Sequence, residues 1–425
     1  MQESQLESKQ KMTRRIGKFM RRTAKKRTST FLQRVCHDSN MCLAFGVESK
    51  KIKKFFNDFS FEYALSPTRL IGSESVNGFV REIHYAEQNY HSYAILKSST
   101  KASADNLMYE YNVGLYVNQL NICLPCFLET YGLYRYRYPN HWEQAKTKHI
   151  DASTLHSMLE PININYMLGC QESTYLAIMI QHIKGVSLRT KIQELLNTPF
   201  NFECLYLLYQ IYMSLNACKN TFTHYDLHGE NVIVFEPTQG KYIQYHYHIK
   251  NKVTSFKSKY MAKIIDYGRS YFKNQRTKES SLKVYKEVCK LCTPDCGTDA
   301  GFAYLKDTSR LTYIVSQKKN ITHDLQLCYD LEEMITESED PDLSDLFSHF
   351  VRDGMFDVVP DLEEKLSSGL PDAIHNVSDM FKSLAQIVKK KHNIEEQFEF
   401  YSEPANNLGD LHIFDDGTPM KFYAF

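Results

Sequence analysis

The stretch THYDLHGENVIVF, Thr223–Phe235, restricts this chain more than any other. Val232, Ile233, Val234 and Phe235 form an unbroken β-branched and aromatic run, which suits a short, packed strand. His224, Asp226, His228 and Asn231 stand immediately before it. A fold that accepts this sequence must bury the tail and leave the polar cluster on a loop at the strand's mouth. Rigid scaffolds commonly present their chemistry from such loops.

The rest of the chain sets the limits. With 425 residues, 43% of them apolar, it can bury a large core, enough for two or three domains or one two-lobed unit. The 11 cysteines lie singly or in loose clusters, and no secretory signal is read at the start. This pattern points to a reducing, intracellular setting, not secretion. The longest clean apolar stretch in mid-chain, Leu176 to Ile180, is too short to span a bilayer, so no membrane insertion is expected.

The net charge of +1 hides an uneven distribution. Residues 1–35 carry eleven Lys or Arg, among them Arg14, Arg15, Arg21, Arg22, Lys25, Lys26 and Arg27, against Glu3 and Glu7, a local charge of +9. Such a run reads as a solvated, flexible tail. It also suits contact with nucleic-acid phosphates or a nuclear-import signal.

From about residue 60 the pattern becomes strands broken by turns. LIGSESVNGFVREIHYAE and HSYAILKSS read as a three-stranded meander, and residues 106–120 place Leu107, Glu110, Tyr111 and Gly114 at helical spacing. STYLAIMIQHIKGVSL reads as a buried strand ending in a turn at Gly185. In FECLYLLYQIYMSLNACKN, the spacing of Leu205, Leu208, Tyr209 and Tyr212 predicts an amphipathic helix leading to the polar loop. Beyond that loop, KYIQYHYHIKNK alternates Ile243, Tyr245, Tyr247 and Ile249, as in a hairpin whose polar face carries His246 and His248. Strands first and helices later predict an α+β fold.

After the hairpin, Ala262, Ile264 and Ile265 lead to another carboxylate, Asp266. Oxygen ligands at Asp226, Asn231 and Asp266 suit Mg²⁺, which takes a few carboxylate or amide oxygens plus substrate phosphates. Lys97 ends a rigid strand, and Glu110 on the following helix can pair with it and aim it. Gly78 marks a close backbone approach of the kind that lets a loop cover phosphates. Together these residues make a set suited to phosphoryl transfer.

Over roughly residues 65–335 these motifs, in this order, resemble those of the eukaryotic protein-kinase superfamily. The resemblance implies a bilobal fold: a basic tail at 1–40, a small β-rich N-lobe at 41–183 and a larger, mostly helical C-lobe at 184–425. It implies ATP and Mg²⁺ as cofactors and a protein substrate phosphorylated on Ser or Thr. AILK resembles the V-A-I-K strand, which makes Lys97 the ligand of the α- and β-phosphates and Glu110 its helix partner. HYDLHGEN resembles H-R-D-L-x-x-x-N, so Asp226 would accept the substrate hydroxyl proton and Asn231 would hold Mg²⁺. DYG resembles D-F-G and makes Asp266 the main metal ligand. IQHIKG lies at the position of the family hinge, so backbone groups of Gln181 and Ile183 would meet adenine. Gly72, Ser75, Gly78 and Val80 cover the glycine-loop region. Asp324 in NITHDL resembles the buried helix Asp that braces the catalytic loop.

His228 in DLHGEN, the DYG variant and the missing A-P-E resemble the divergent haspin-type branch. YEYNVGLYVNQL, LPCFLETYG and KIIDYGRSYF are similar to segments of kinase-like proteins of large DNA viruses, which would place the chain in host cytoplasm, nucleus or virion. The chain departs from the family pattern in several places. Ser73 and Ser75 stand where the first two loop glycines belong, with Gly72 one place out of register. Tyr225 replaces the H-R-D arginine, which argues against switching by loop phosphorylation. A pseudokinase or structural virion component, and a small-molecule kinase of the aminoglycoside or choline type, remain as alternatives.

His224 reads as a packed scaffold residue, not a proton carrier. Cys123 and Cys126, with Cys289, Cys292 and Cys296, have zinc-like spacing, although buried or loop thiols explain them more simply. Near the C-terminus, 373–391 predicts a helix, and LHIFDDGTPMKFYAF a hairpin with an Asp-Gly turn.

Overall fold

The computed structural model describes residues 44–75, 78–99, 107–165, 175–289, 306–307, 312–313, 316–337, 340–348 and 374–424. The basic tail at 1–40 lies outside them, as do Cys292 and Cys296.

The chain is α+β. A short helix, α1 (Ser49–Phe55), precedes the expected meander of β1 (Thr68–Ser75), β2 (Gly78–Glu87) and β3 (Tyr90–Ser98). In β3, Ser92, Ala94, Leu96 and Ser98 are buried while the residues between them are half-buried, the period of two that puts one face of a strand on a core. Helix α2 (Leu107–Leu120) follows, and then β4 (Thr130–Tyr136), β5 (His149–Ile150), β6 (Leu159–Pro161) and β7 (Leu176–Gln181) complete the sheet. Its order is β5-β1-β2-β3-β7-β4-β6, and each pairing is antiparallel. Helix α2 lies close to β4, because a Cβ on Gly114 would sit 2.2 Å from Thr130 Oγ1. Glycine is what permits that approach.

Beyond β8 (Val186–Ser187) and α3 (Leu188–Leu196) comes the long helix α4 (Phe202–Cys218). Its sequence spacing predicts one apolar face. Instead the helix is buried on all sides from Phe202 to Leu215, with Glu203, Gln210 and Ser214 included. Periodicity marks only the most apolar stripe of such a helix, whereas tertiary packing here covers the polar stripe as well. The enclosed polar groups are paired: Gln210 donates to Tyr260 O at 3.0 Å and accepts from Ala262 N at 3.1 Å. Each buried Leu and Ile along α4 contributes about 1.5–3 kcal/mol by leaving water.

Around α4 the chain forms β9 (Phe222–Thr223), β10 (Val232–Phe235), β11 (Tyr242–Ile249), β12 (Lys252–Ser258), β13 (Met261–Ile264) and β14 (Tyr271–Phe272). After α5 (Ser281–Cys289), the two-residue strands β15 (Lys306–Asp307) and β16 (Thr312–Tyr313) pair with each other. Helices α6 (Gln326–Thr336), α7 (Pro341–Ser348) and α8 (Val377–Lys390) precede the closing hairpin of β17 (Asn407–Phe414) and β18 (Lys421–Ala424). Helix α8 matches the expected one, and Asn376 caps it by accepting from Ser378 N and Asp379 N. Strand β17 runs parallel to β11, which gives a sheet of order β12-β11-β17-β18. Among the described residues, no helix is long and apolar enough to cross a membrane.

Candidate active site

The polar loop and the Asp266 turn meet because their strands pair. β10 and β13 are antiparallel, with Val232 opposite Ile264. The start of one therefore lies beside the end of the other, and Ile265 N donates to Asn231 O at 3.0 Å. This pairing brings Asn231, which precedes β10, close to Asp266, which follows β13.

Three elements then converge on one ammonium. Lys97 Nζ, at the end of β3, donates to Glu110 Oε2 of α2 at 2.8 Å and to Asp266 Oδ1 at 3.1 Å. The side chains of Lys97 and Glu110 are 18% and 4% exposed, whereas that of Asp266 is 41% exposed and open to a ligand. Burial disfavours the Lys97 charge, but Asp266 and Glu110 outweigh it and hold the ammonium above the usual lysine range. At Glu110 burial prevails over Lys97, and the carboxyl is pushed up to about 7. At Asp266 burial is outweighed by Lys97, with help from His224 and the Gly268 backbone, so its carboxyl lies below the usual range. Of the two acids, Asp266 is the stronger.

The loop that carries Asp226 is held from below. Asp324 is 3% exposed and accepts from His224 N at 2.8 Å and Tyr225 N at 3.0 Å. It sits in the 3-10 turn His323–Leu325 that leads into α6, not within the helix itself. The His224 ring is fully buried, with Nε2 2.8 Å from Ile265 O and Nδ1 accepting from Asp226 N at 3.3 Å. It thereby ties the Asp226 loop to the Asp266 turn. Tyr225 has φ +65° and Asp266 φ +63°, a conformation uncommon outside glycine that clusters at functional sites. Tyr225 is 2% exposed and donates its hydroxyl to Lys318 O at 2.8 Å, so it is a packing element.

Asn231 Nδ2 donates to Asp226 O at 2.8 Å, which turns the carboxamide so that Oδ1 is the atom left for a cation. Sequence reasoning overlooked two further supports. Asp330 accepts from Gly229 N at 2.8 Å and pairs with Arg189, which also donates to Asp330 O at 2.8 Å. Arg269 Nη1 lies 3.6 Å from Asp226 Oδ1. Arg269 was visible as the basic residue directly after DYG. Asp330 carried no signal beyond its place six residues after Asp324.

The remaining expected residues lie on the sheet, except Ile183. Val80 stands opposite Lys97 across β2 and β3. Gly72 and Ser75 lie in β1, where Ser75 pairs with Gly78. A Cβ on Gly78 would meet Ser98 O at 2.4 Å, so the close approach this glycine serves is to β3. Gln181 N donates to Glu129 O at 2.8 Å, while Ile183, 6% exposed, packs into the main core beyond β7. Cys126 is buried and donates to Gln210 O at 3.2 Å, and Cys123 donates to Gly417 O at 3.1 Å, so both behave as ordinary packed or loop thiols. The chain matches no protein-family model and no curated protein.

Proposed function

We propose that the chain is an ATP- and Mg²⁺-dependent protein kinase that transfers the γ-phosphate to Ser or Thr of a protein substrate. One observation carries this reading: Lys97, Glu110 and Asp266, from three elements, share one bonded cluster next to the Asp226 loop. In this reading the antiparallel sheet with α2 is the small lobe and the α4-centred part the larger one. An ammonium fixed by Glu110 is placed to hold α- and β-phosphates as a point charge. In this reading Val80 on β2, together with the chain at Gln181 and Ile183, would cover the nucleotide.

The residues fit a hard cation. Asp266 is ionised and half-buried, with its side chain partly open, and Asn231 Oδ1 is oriented by the hydrogen bond of its own amide, an all-oxygen donor set of the type Mg²⁺ takes. When bound, Mg²⁺ neutralises charge on the phosphates. Asp226 would orient the acceptor hydroxyl and take its proton, and His224 and Asp324 keep that carboxylate in place. Catalysis of this kind comes mainly from positioning and charge neutralisation.

A second reading, a nucleotide binder without turnover, draws on the contact of Arg269 with Asp226, which partly neutralises the base. The test is transfer of labelled γ-phosphate from Mg-ATP to a basic protein acceptor or to the chain itself, in wild type, Asp226→Asn and Lys97→Met. Label lost in both variants supports the kinase. ATP binding with equal inertness in all three favours the second reading, and absence of ATP binding removes both. Label on sugars or amino alcohols alone would make it a small-molecule kinase.

A further inference from the structure

Strands β11 and β17 pair in parallel, with His246 opposite His412 and Gln244 opposite Asp410. Tyr245, Tyr247, Leu411 and Ile413 are fully buried on the inner face. The period of two therefore turns His246, His248, Asp410 and His412 to the other face, where all four are half-buried. On that face one ligand atom each of His246, Asp410 and His412 lies within 4.8 Å of the others. His246 Nε2 is 3.9 Å from Asp410 Oδ1, and the His246 and His412 rings stack with centroids 4.6 Å apart.

We propose that His246, Asp410 and His412 form a binding site for a divalent transition-metal ion, Zn²⁺ by the chemistry of its ligands, which clasps the C-terminal strand to β11. Two imidazoles and one carboxylate with a fourth position left to water is a common zinc set, whereas Mg²⁺ and Ca²⁺ prefer oxygen alone. The rings are already oriented from behind. His246 Nδ1 is 2.9 Å from Ser255 Oγ, and His412 Nδ1 is 2.9 Å from His248 Nε2. Such outer partners fix which ring nitrogen faces a metal. Zinc bonds of about 2.0–2.2 Å place tetrahedral ligand atoms about 3.4 Å apart, so binding needs side-chain shifts of roughly an ångström. The nearby ammonium of Lys421 lies over the Phe414 ring, 6.0 Å from its centroid. The site is separate from the all-oxygen set at Asp266 and Asn231 and does not depend on the kinase reading.

The test is a competition titration of the full-length protein with Zn²⁺ against a chromogenic chelator, alongside His246→Ala/His412→Ala and Asp410→Asn. Wild type binds one equivalent more than the double variant, and Zn²⁺ raises the Tm of wild type by several degrees but not that of the variant. Asp410→Asn and His248→Gln each weaken binding at least tenfold. With Co²⁺, the difference spectrum between wild type and double variant shows nitrogen and oxygen ligation without a thiolate charge-transfer band, which separates this site from the cysteines. Equal stoichiometry and affinity in wild type and double variant would overturn the proposal. Should the double variant not fold by circular dichroism, unchanged affinity in the near-isosteric Asp410→Asn protein overturns it equally.

Discussion

The Lys97 ammonium lies 3.1 Å from Asp266 Oδ1 across 169 residues of sequence, and Glu110 holds it from the other side at 2.8 Å. The two carboxyls differ in what they can do. Glu110 is enclosed and positions the ammonium, while Asp266 is exposed enough to take a cation. If the chain is the proposed kinase, Glu110→Gln raises the KM for ATP about tenfold, roughly 1.4 kcal/mol, with a smaller change in kcat. Asp266→Asn should instead reduce kcat by at least about a hundredfold, as expected when a charge-stabilising group is lost. ATP titrations of steady-state phosphate transfer separate the two effects, and matching profiles for the variants would contradict the division of roles.

Asp324 satisfies two buried backbone N–H groups, those of His224 and Tyr225. Asp324→Ala leaves both without an acceptor, at about 1–3 kcal/mol each. Asp324→Asn keeps one acceptor oxygen and should lose about half as much. Urea unfolding measures both, and on the proposed kinase reading the loss of phosphate transfer should follow the same order. An Asp324→Ala protein as stable as wild type would show that the brace is dispensable.

Glu203 gives the fold a defined pH dependence. It is fully buried, and burial pushes its carboxyl up to about 7 even though it accepts from Ser258, Tyr401 and Lys259 N. The folded value exceeds the model-peptide value of 4.5, so the native state holds a proton that the unfolded chain has released. Stability is then highest below pH 4.5 as far as this group is concerned. It falls as pH rises through the window to about 7, by up to about 3 kcal/mol. Glu203→Gln should flatten that slope in denaturant midpoints measured from pH 5 to 8, and an unchanged slope would refute the assignment.

The C-terminal strand is part of the core. Leu411 is fully buried against the α4 cluster, so Leu411→Ala should cost about 2–5 kcal/mol. Val253, on β12 of the same sheet and 57% exposed, serves as the control, and Val253→Ala should change stability by no more than about 0.5 kcal/mol. Thermal unfolding compares the two. Similar small losses for both would mean that β17 adds little to the fold.

Local patterns were legible wherever one face of an element meets the core and the other meets solvent. The meander through Lys97 and the alternation of β11 follow from such periodicity, and the closing hairpin follows from its Asp-Gly turn; helix α2 was legible although most of it is buried. The strand Val232–Phe235 was legible for a different reason, because an unbroken β-branched and aromatic run marks a strand packed on both faces, and the polar residues before it mark a loop. Helix α4 was misread as amphipathic because a helix enclosed on every side has no solvent face to set its pattern, and pairs such as Gln210 with Ala262 N satisfy its polar stripe. Arg269 directly follows DYG and Asp330 lies within helix α6, but neither position by itself shows that its partner is the Asp226 loop.

By itself the sequence determined the residue types, their order and the α+β character, including an acid or amide next to each of two strands and an ammonium on a third. Only the tertiary structure decided which of them meet. The antiparallel pairing of β10 with β13 sets Asn231 beside the Asp266 turn, and the parallel docking of β17 on β11 sets His412 beside His246. Strand pairing partners are chosen by burial and backbone hydrogen bonding over long loops. Periodicity within one strand carries no information about which distant strand will complete it.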